Sequence, residues 1–164
     1  MATNPVDTAA AAPGTIKLGG NEFVFIATLA PQRDASGAII ELMPQEQYKK
    51  SDSVPLHKHG HGTFSRFKIS VQKGLVGVYA LLADGAVRYI GECKNLGKRI
   101  NAGYGNISPK NCYKGGQSTN CKINRRVLDA TRASGRVDLY CCPTPRRKPI
   151  ERQLIEKYRP PWNG

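Results

Sequence analysis

Apolar residues recur along this chain at two spacings, one of two residues and one of three to four, and together they predict an α+β fold. Residues 21–30 carry the run Phe23-Val24-Phe25-Ile26-Ala27-Thr28-Leu29, with the length and the β-branched and aromatic content of a buried strand. After turn residues 31–37, Ala38-Ile39-Ile40-Glu41-Leu42 reads as a return strand. Phe64-Ser65-Arg66-Phe67-Lys68-Ile69-Ser70-Val71 alternates as a half-buried strand does, with Arg66 and Lys68 on its wet side. Two β-forming runs flank Ala83-Asp84-Gly85, and residues 136–142 form a further strand before the basic turn 143–148. Helical spacing is clearest over residues 120–134, where Ile123, Val127, Ala130 and Ser134 make one face and Lys122, Arg125 and Arg132 lie on another. Ser118 or Thr119 can cap that helix and Gly135 stops it. Asn95 is placed to cap a short helix over residues 96–102, ended by Gly103, and Pro149 occupies a permitted first-turn position of a last helix near residues 150–158.

The hairpin around Asp84-Gly85 is the strongest local signal, and its loop length decides where two tyrosines point. A two-residue turn pairs Tyr79 with Ile90 and sends Tyr79 and Tyr89 to opposite faces, because side chains alternate along a strand. A three-residue loop with Gly85 in the left-handed conformation sets Tyr79 opposite Tyr89, with both hydroxyls on one face. Cross-strand packing alone would account for two such aromatics.

Composition narrows the partner. The chain has 164 residues and a net charge of +13 with a pI near 9.8. From residue 75 onward there are seventeen basic and six acidic residues, against eight and six before it. A field of that size suits a polyanion such as double-stranded DNA, with an anionic membrane surface as the competitor. The Gly- and Asn-rich segment 103–119 is longer than most connections, and Lys110, Lys114 and Gln117 supply side chains of the kind that contact phosphates and base edges; Lys122, Arg125 and Arg132 on the following helix extend that set. The five cysteines form no paired framework and no C-x-x-C zinc spacing, which reads as reduced thiols in a cytoplasmic protein. The Ala-rich opening has neither a secretory pattern nor a membrane span, so residues 1–20 are expected to be a flexible tail. His57, His59 and His61 alternate within a loop; a metal site and a phosphate-seeking or inert loop are both consistent with that spacing.

Gly77-Val78-Tyr79, Tyr89-Ile90-Gly91, Arg99 in Asn95-Leu96-Gly97-Lys98-Arg99-Ile100, and Glu151-x-x-Leu154-Ile155 ahead of Pro160 and Asn163 occur in one order. Over residues 75–164 this set resembles the GIY-YIG nuclease family, and Gly115-Gly116-Gln117-Ser118-Thr119-Asn120-Cys121-Lys122-Ile123-Asn124 is similar to a tract of its small Type II restriction endonucleases. The resemblance implies a small three-stranded antiparallel sheet flanked by helices over residues 75–164, with residues 21–74 as an N-terminal β-rich accessory segment.

It also implies a chemistry. Hydrolysing a phosphodiester to 5′-phosphate and 3′-hydroxyl ends needs a deprotonated water, charge relief on the phosphoryl oxygens and a stabilised leaving oxygen. By resemblance Tyr79 is the base or base partner, assisted by Tyr89, and Arg99 is the fixed cation on the scissile phosphate. A phenol ordinarily titrates near ~10, so the first role needs a cation nearby. Glu151, expected in the first turn of its helix, is the metal ligand, and one carboxylate completed by water and phosphate oxygens suits Mg2+, or Mn2+ in its place. Asn163 braces the site. Many relatives carry Tyr or His four residues after the arginine; here that position is Gly103, and Tyr104 follows one residue later. A palindromic site would call for a homodimer. A repair, homing or structure-specific nuclease and a non-catalytic nucleic-acid-binding module are the alternatives.

Overall fold

The computed structural model describes residues 14–133 and 135–164. Thr15-Ile16-Lys17-Leu18 alternates apolar and polar residues and is followed by Gly19 and Gly20, both at positive φ (+55° and +80°), which closes a two-residue hairpin. Its arms are β1 (Thr15–Leu18) and β2 (Asn21–Thr28). Part of the stretch expected as a tail is therefore an edge strand; residues 1–13 of that expectation lie outside the described residues. The remaining strands are β3 (Gly77–Ala83), β4 (Ala86–Cys93) and β5 (Val137–Pro143).

All pairings are antiparallel, in the order β1-β2-β5-β3-β4. Among the described residues the sheet has five strands, not three. β2 extends it by pairing with β5 through Val24↔Cys141 and Thr28↔Asp138, so the supposed accessory strand and the β3–β4 hairpin share one sheet. β3, which lies between β5 and β4, is buried along its whole length, as a strand flanked by strands and covered on both faces must be. Gly77 permits the close approach of β5: a β-carbon there would stand 2.2 Å from the Cys142 carbonyl oxygen.

One face of the sheet carries Val78, Ala80, Leu82, Val87 and Ile90, which pack with Ile16, Leu18 and Phe23 against Leu154 of α3 (Arg147–Tyr158). The opposite face carries Tyr79, Leu81, Leu139 and Cys141, all buried. Helix α3 is pinned at its far end, where Tyr158 Oη accepts the Gly19 N–H at 3.0 Å.

The chain divides into two compact units, each discontinuous in sequence. Of the described residues, the first comprises 14–29, 69–97 and 135–164 and holds the sheet and α3; the second comprises 30–68 and 98–133. Two of the runs expected as strands do not form ladders. Residues 38–42 and 64–71 make only the single bridges Arg33↔Ile39 and Leu42↔Phe64, although Arg66 and Lys68 are exposed as expected. A small core of Phe64, Ile107, Cys112, Tyr113 and Cys121, flanked by Tyr48, Val54 and Leu56, holds the second unit together. The long segment after Gly103 is thus packed, with a 3-10 turn over Pro109–Cys112. Helix α2 (Ser118–Arg132) follows, capped by neither Ser118 nor Thr119 but preceded by Gln117, with Ile123 and Val127 buried as expected. Between the sheet and the long segment, α1 (Leu96–Lys98) runs on into a π-helical turn, Arg99–Tyr104.

Candidate active site

Strands β3 and β4 are joined by a two-residue turn, with Asp84 and Gly85 both at positive φ (54° and 72°). By simple alternation that turn would put Tyr79 and Tyr89 on opposite faces. It does not, because Leu82 pairs with Val87 while Leu81 pairs with Tyr89, leaving Arg88 as an extra residue in β4. This β-bulge reverses the alternation of the following strand. Tyr79 consequently faces Gly91, not Tyr89 or Ile90, and Tyr89 sits diagonally on the same face with ring centroids 6.1 Å apart. The sequence predicts the shared face only with the wrong loop; a bulge carries no local signal.

The C-terminal residues hold the bulged edge. Arg159, at φ +45°, turns the chain out of α3, and the Trp162 N–H then donates to the Arg88 carbonyl at 2.8 Å. The Asn163 side chain accepts the Ile90 N–H at 2.9 Å and donates to the Ile90 carbonyl at 2.8 Å, satisfying both groups of an edge-strand residue. Asn163 therefore braces the strand that carries Tyr89. Gly91 has an equally specific reason: a β-carbon there would lie 2.4 Å from Cζ and Oη of Tyr79, so the ring of Tyr79 lies over the bare backbone of Gly91.

Glu151 lies on α3 in the same unit, half-buried, and lines a concavity of about 450 Å³ with Glu92, Lys148, Arg152, Ile155 and Glu156. The helix begins at Arg147, so Glu151 falls in its second turn, not the first. Glu92 is ion-paired with Arg147. Among the described residues no three His, Cys, Asp or Glu side chains cluster as a metal cage.

Arg99 and Tyr104 belong to the second unit and bracket the π-helical turn, Arg99 exposed and Tyr104 only 1% exposed. The Gly105 N–H bonds to the Ile100 carbonyl five residues back, at 2.6 Å. In such a turn residue i+5 stands where i+4 stands in an α-helix, so Arg99 and Tyr104 fall on one side of it. Gly105 allows the ending, since a β-carbon would lie 2.0 Å from the Phe67 carbonyl oxygen.

Asn124 on α2, fully buried, fixes this turn. Its Nδ2 donates to the carbonyls of Tyr104 and Ser65, each at 2.7 Å, and its Oδ1 accepts the Ser65 N–H at 2.9 Å. A polar residue beside the apolar stripe Ile123/Val127 was the available signal for such a clamp, and sequence reasoning gave it no role.

The expected nucleic-acid contacts divide by their local partners. Lys110, Lys114 and Gln117 are exposed on the long segment, with Gln117 Oε1 accepting from Asn120 Nδ2 at 3.3 Å. Arg125 pairs with Asp129 at 3.1 Å and donates to the Thr63 carbonyl at 3.1 Å, and Arg132 pairs with Glu41. Burial, with Arg126 and Lys58 nearby, lowers the Lys122 pKa. In the histidine loop, His57 uses both ring nitrogens internally: Nε2 is 2.5 Å from the Asn111 carbonyl and Nδ1 accepts the His59 N–H at 3.0 Å. That leaves no nitrogen of His57 for a metal.

No family model matches the chain, and no curated protein matches it significantly. No helix among the described residues is long and apolar enough to cross a membrane. Among solved structures, the chain is similar to a mutant of bacteriophage T4 EndoII, with 20% sequence identity and a TM-score of 0.46, over 68% of this chain and 87% of that one.

Proposed function

We propose that this protein is a divalent-metal-dependent DNA endonuclease of the GIY-YIG type, and specifically a Type II restriction enzyme that cuts a short double-stranded site as a homodimer. The ordered motif residues support the reading, and one structural observation carries it: the bulge at Arg88 puts Tyr79 and Tyr89 on one face, with Gly91 clearing space for the Tyr79 ring. Had simple alternation held, the two phenols could not serve one phosphate.

Tyr79 orients the attacking water and takes its proton, with Tyr89 beside it. Arg99 supplies a fixed, delocalised charge with several donors for the scissile phosphate. Glu151 fits a hard cation: it is an oxygen donor at a concavity roomy enough for waters, and Glu92 beside it is already paired with Arg147. A Mg2+ or Mn2+ ion held there would relieve charge on the phosphoryl and leaving oxygens.

Incubating a plasmid with the protein and Mg2+ tests the reading. Discrete fragments with 5′-phosphate ends are expected. Nicking or branch-dependent cutting would replace the restriction role with a structure-specific one, and retarded but uncut DNA would remove catalysis altogether. Glu151→Gln is expected to abolish cutting while retaining the gel shift; cleavage near the wild-type rate would take Glu151 out of the metal role.

A further inference from the structure

The histidine loop has no part in the chemistry above, yet it is not an isolated surface feature. Lys58, His59, His61 and Gly62 face Lys122, Arg125, Arg126 and Asp129 of α2 across a concavity of about 250 Å³. Four cationic side chains and two imidazoles thus line a space that offers one carboxylate. That carboxylate is engaged, since Asp129 pairs with Arg125, and Arg125 also ties the loop to the helix through the Thr63 carbonyl. The loop is fixed from its other side by the two ring bonds of His57. The walls are therefore held in place before any ligand arrives, and like charges are held close together in a recess whose one lining carboxylate pairs with Arg125.

Such a recess favours an anion small enough to enter it and attached to something broad enough to lie across the exposed Lys58 and Arg126 at its rim. A backbone phosphate of duplex DNA meets both conditions. We propose that Lys58, His59, His61, Lys122 and Arg126 form a seat for a non-scissile backbone phosphate of duplex DNA, anchoring the substrate away from the tyrosine pair. This rests on the nuclease reading for its substrate.

The seat has a pH signature. In the free protein burial lowers the His59 pKa, followed by the charges of Lys58, Lys122, His57 and Arg126, while Asp129 and Arg125 face it as a closed pair. A phosphate placed among these cations offsets their repulsion and raises the His59 pKa in the complex. Binding then takes up a proton, so affinity rises as the pH falls through the His59 pKa of the complex and levels off below that of the free protein.

The experiment is a salt titration of the affinity of the cleavage-deficient Glu151→Gln protein for a 30-base-pair duplex of about that length in EDTA, so that binding is read without cutting. The double variant Lys58→Ala/Arg126→Ala, at two exposed positions, is expected to lower the slope of log K against log salt by about 1, the equivalent of one phosphate. A charge-matched control, Lys49→Ala/Lys50→Ala, is expected to leave the slope unchanged, and His59→Gln to flatten the pH dependence. An unaltered slope in the rim variant, or an equal drop in the control, overturns the seat while leaving the nuclease reading intact. Failure of the parent protein to bind duplex at any salt overturns both.

Discussion

Any β-carbon at position 91 would occupy the space that the Tyr79 ring fills, and this makes the third residue of Tyr89-Ile90-Gly91 a condition on the first unit's chemistry. Gly91→Ala must push Tyr79 out of place or displace β4, and neither is easy where Tyr79 is 1% exposed and Ile90 is held by Asn163. Overpacking of this kind costs about 1–3 kcal/mol, readable as a lower urea midpoint at unchanged slope. Removing only the hydroxyl, in Tyr79→Phe, leaves the packing and should lower the cleavage rate by about 10²- to 10⁴-fold, as expected for loss of a general base or its partner. Comparing the pair separates position from chemistry. If Gly91→Ala cuts DNA at the wild-type rate, the placement of Tyr79 is not what catalysis depends on.

At the level of elements, what the sequence could express was pattern, and what it could not express was where a ladder slips. The Asp84-Gly85 turn, the strand at 137–143, helix α2 and the last helix all follow from turn residues and periodicity. The Arg88 bulge does not, because nothing local distinguishes a residue left out of register from its neighbours. Residues 38–42 and 64–71 have strand-like alternation but no partner along their length, since strand formation depends on what lies beside the strand. Thr15-Ile16-Lys17-Leu18-Gly19-Gly20 carried a legible hairpin signal that the Ala-rich run before it obscured. The ending of the Arg99 helix was not legible, because Gly103 reads as its stop and nothing local marks a bond to the fifth residue back. Deleting the exposed Ala102 should convert the π-helical turn to an α turn, with Arg99 and the tyrosine then four apart and on the same side. The deletion protein is expected to unfold at a similar urea midpoint and to cut within about tenfold of the parent, a difference of about 1.4 kcal/mol in the barrier. A folded deletion protein as inactive as Glu151→Gln would show that the two spacings are not equivalent.

For the molecule as a whole, the motif residues are continuous in sequence over 75–164, but the units that carry them are not. The first unit draws Ile16, Leu18 and Phe23 into the core beneath β3 and α3, and the second draws Phe64, Tyr48, Val54 and Leu56 around Tyr113 and Cys121. Ser65, whose N–H and carbonyl both engage Asn124, also precedes residue 75. Burying Ile16, Leu18 and Phe23 is worth about 1.5–3 kcal/mol each. Their joint loss is thus comparable with the whole stability of an ordinary domain, about 5–15 kcal/mol. A fragment of residues 75–164 would also leave one edge of β5 unpaired where β2 now covers it, and would take both Ser65 partners from the buried amide of Asn124. That fragment, though it contains Tyr79, Tyr89, Arg99, Glu151 and Asn163, is expected to show no cooperative urea transition and no near-ultraviolet circular dichroism from fixed aromatics. A single transition with a slope in proportion to its length would mean that the nuclease-like segment folds on its own, and that the segments before residue 75 decorate the site without building it.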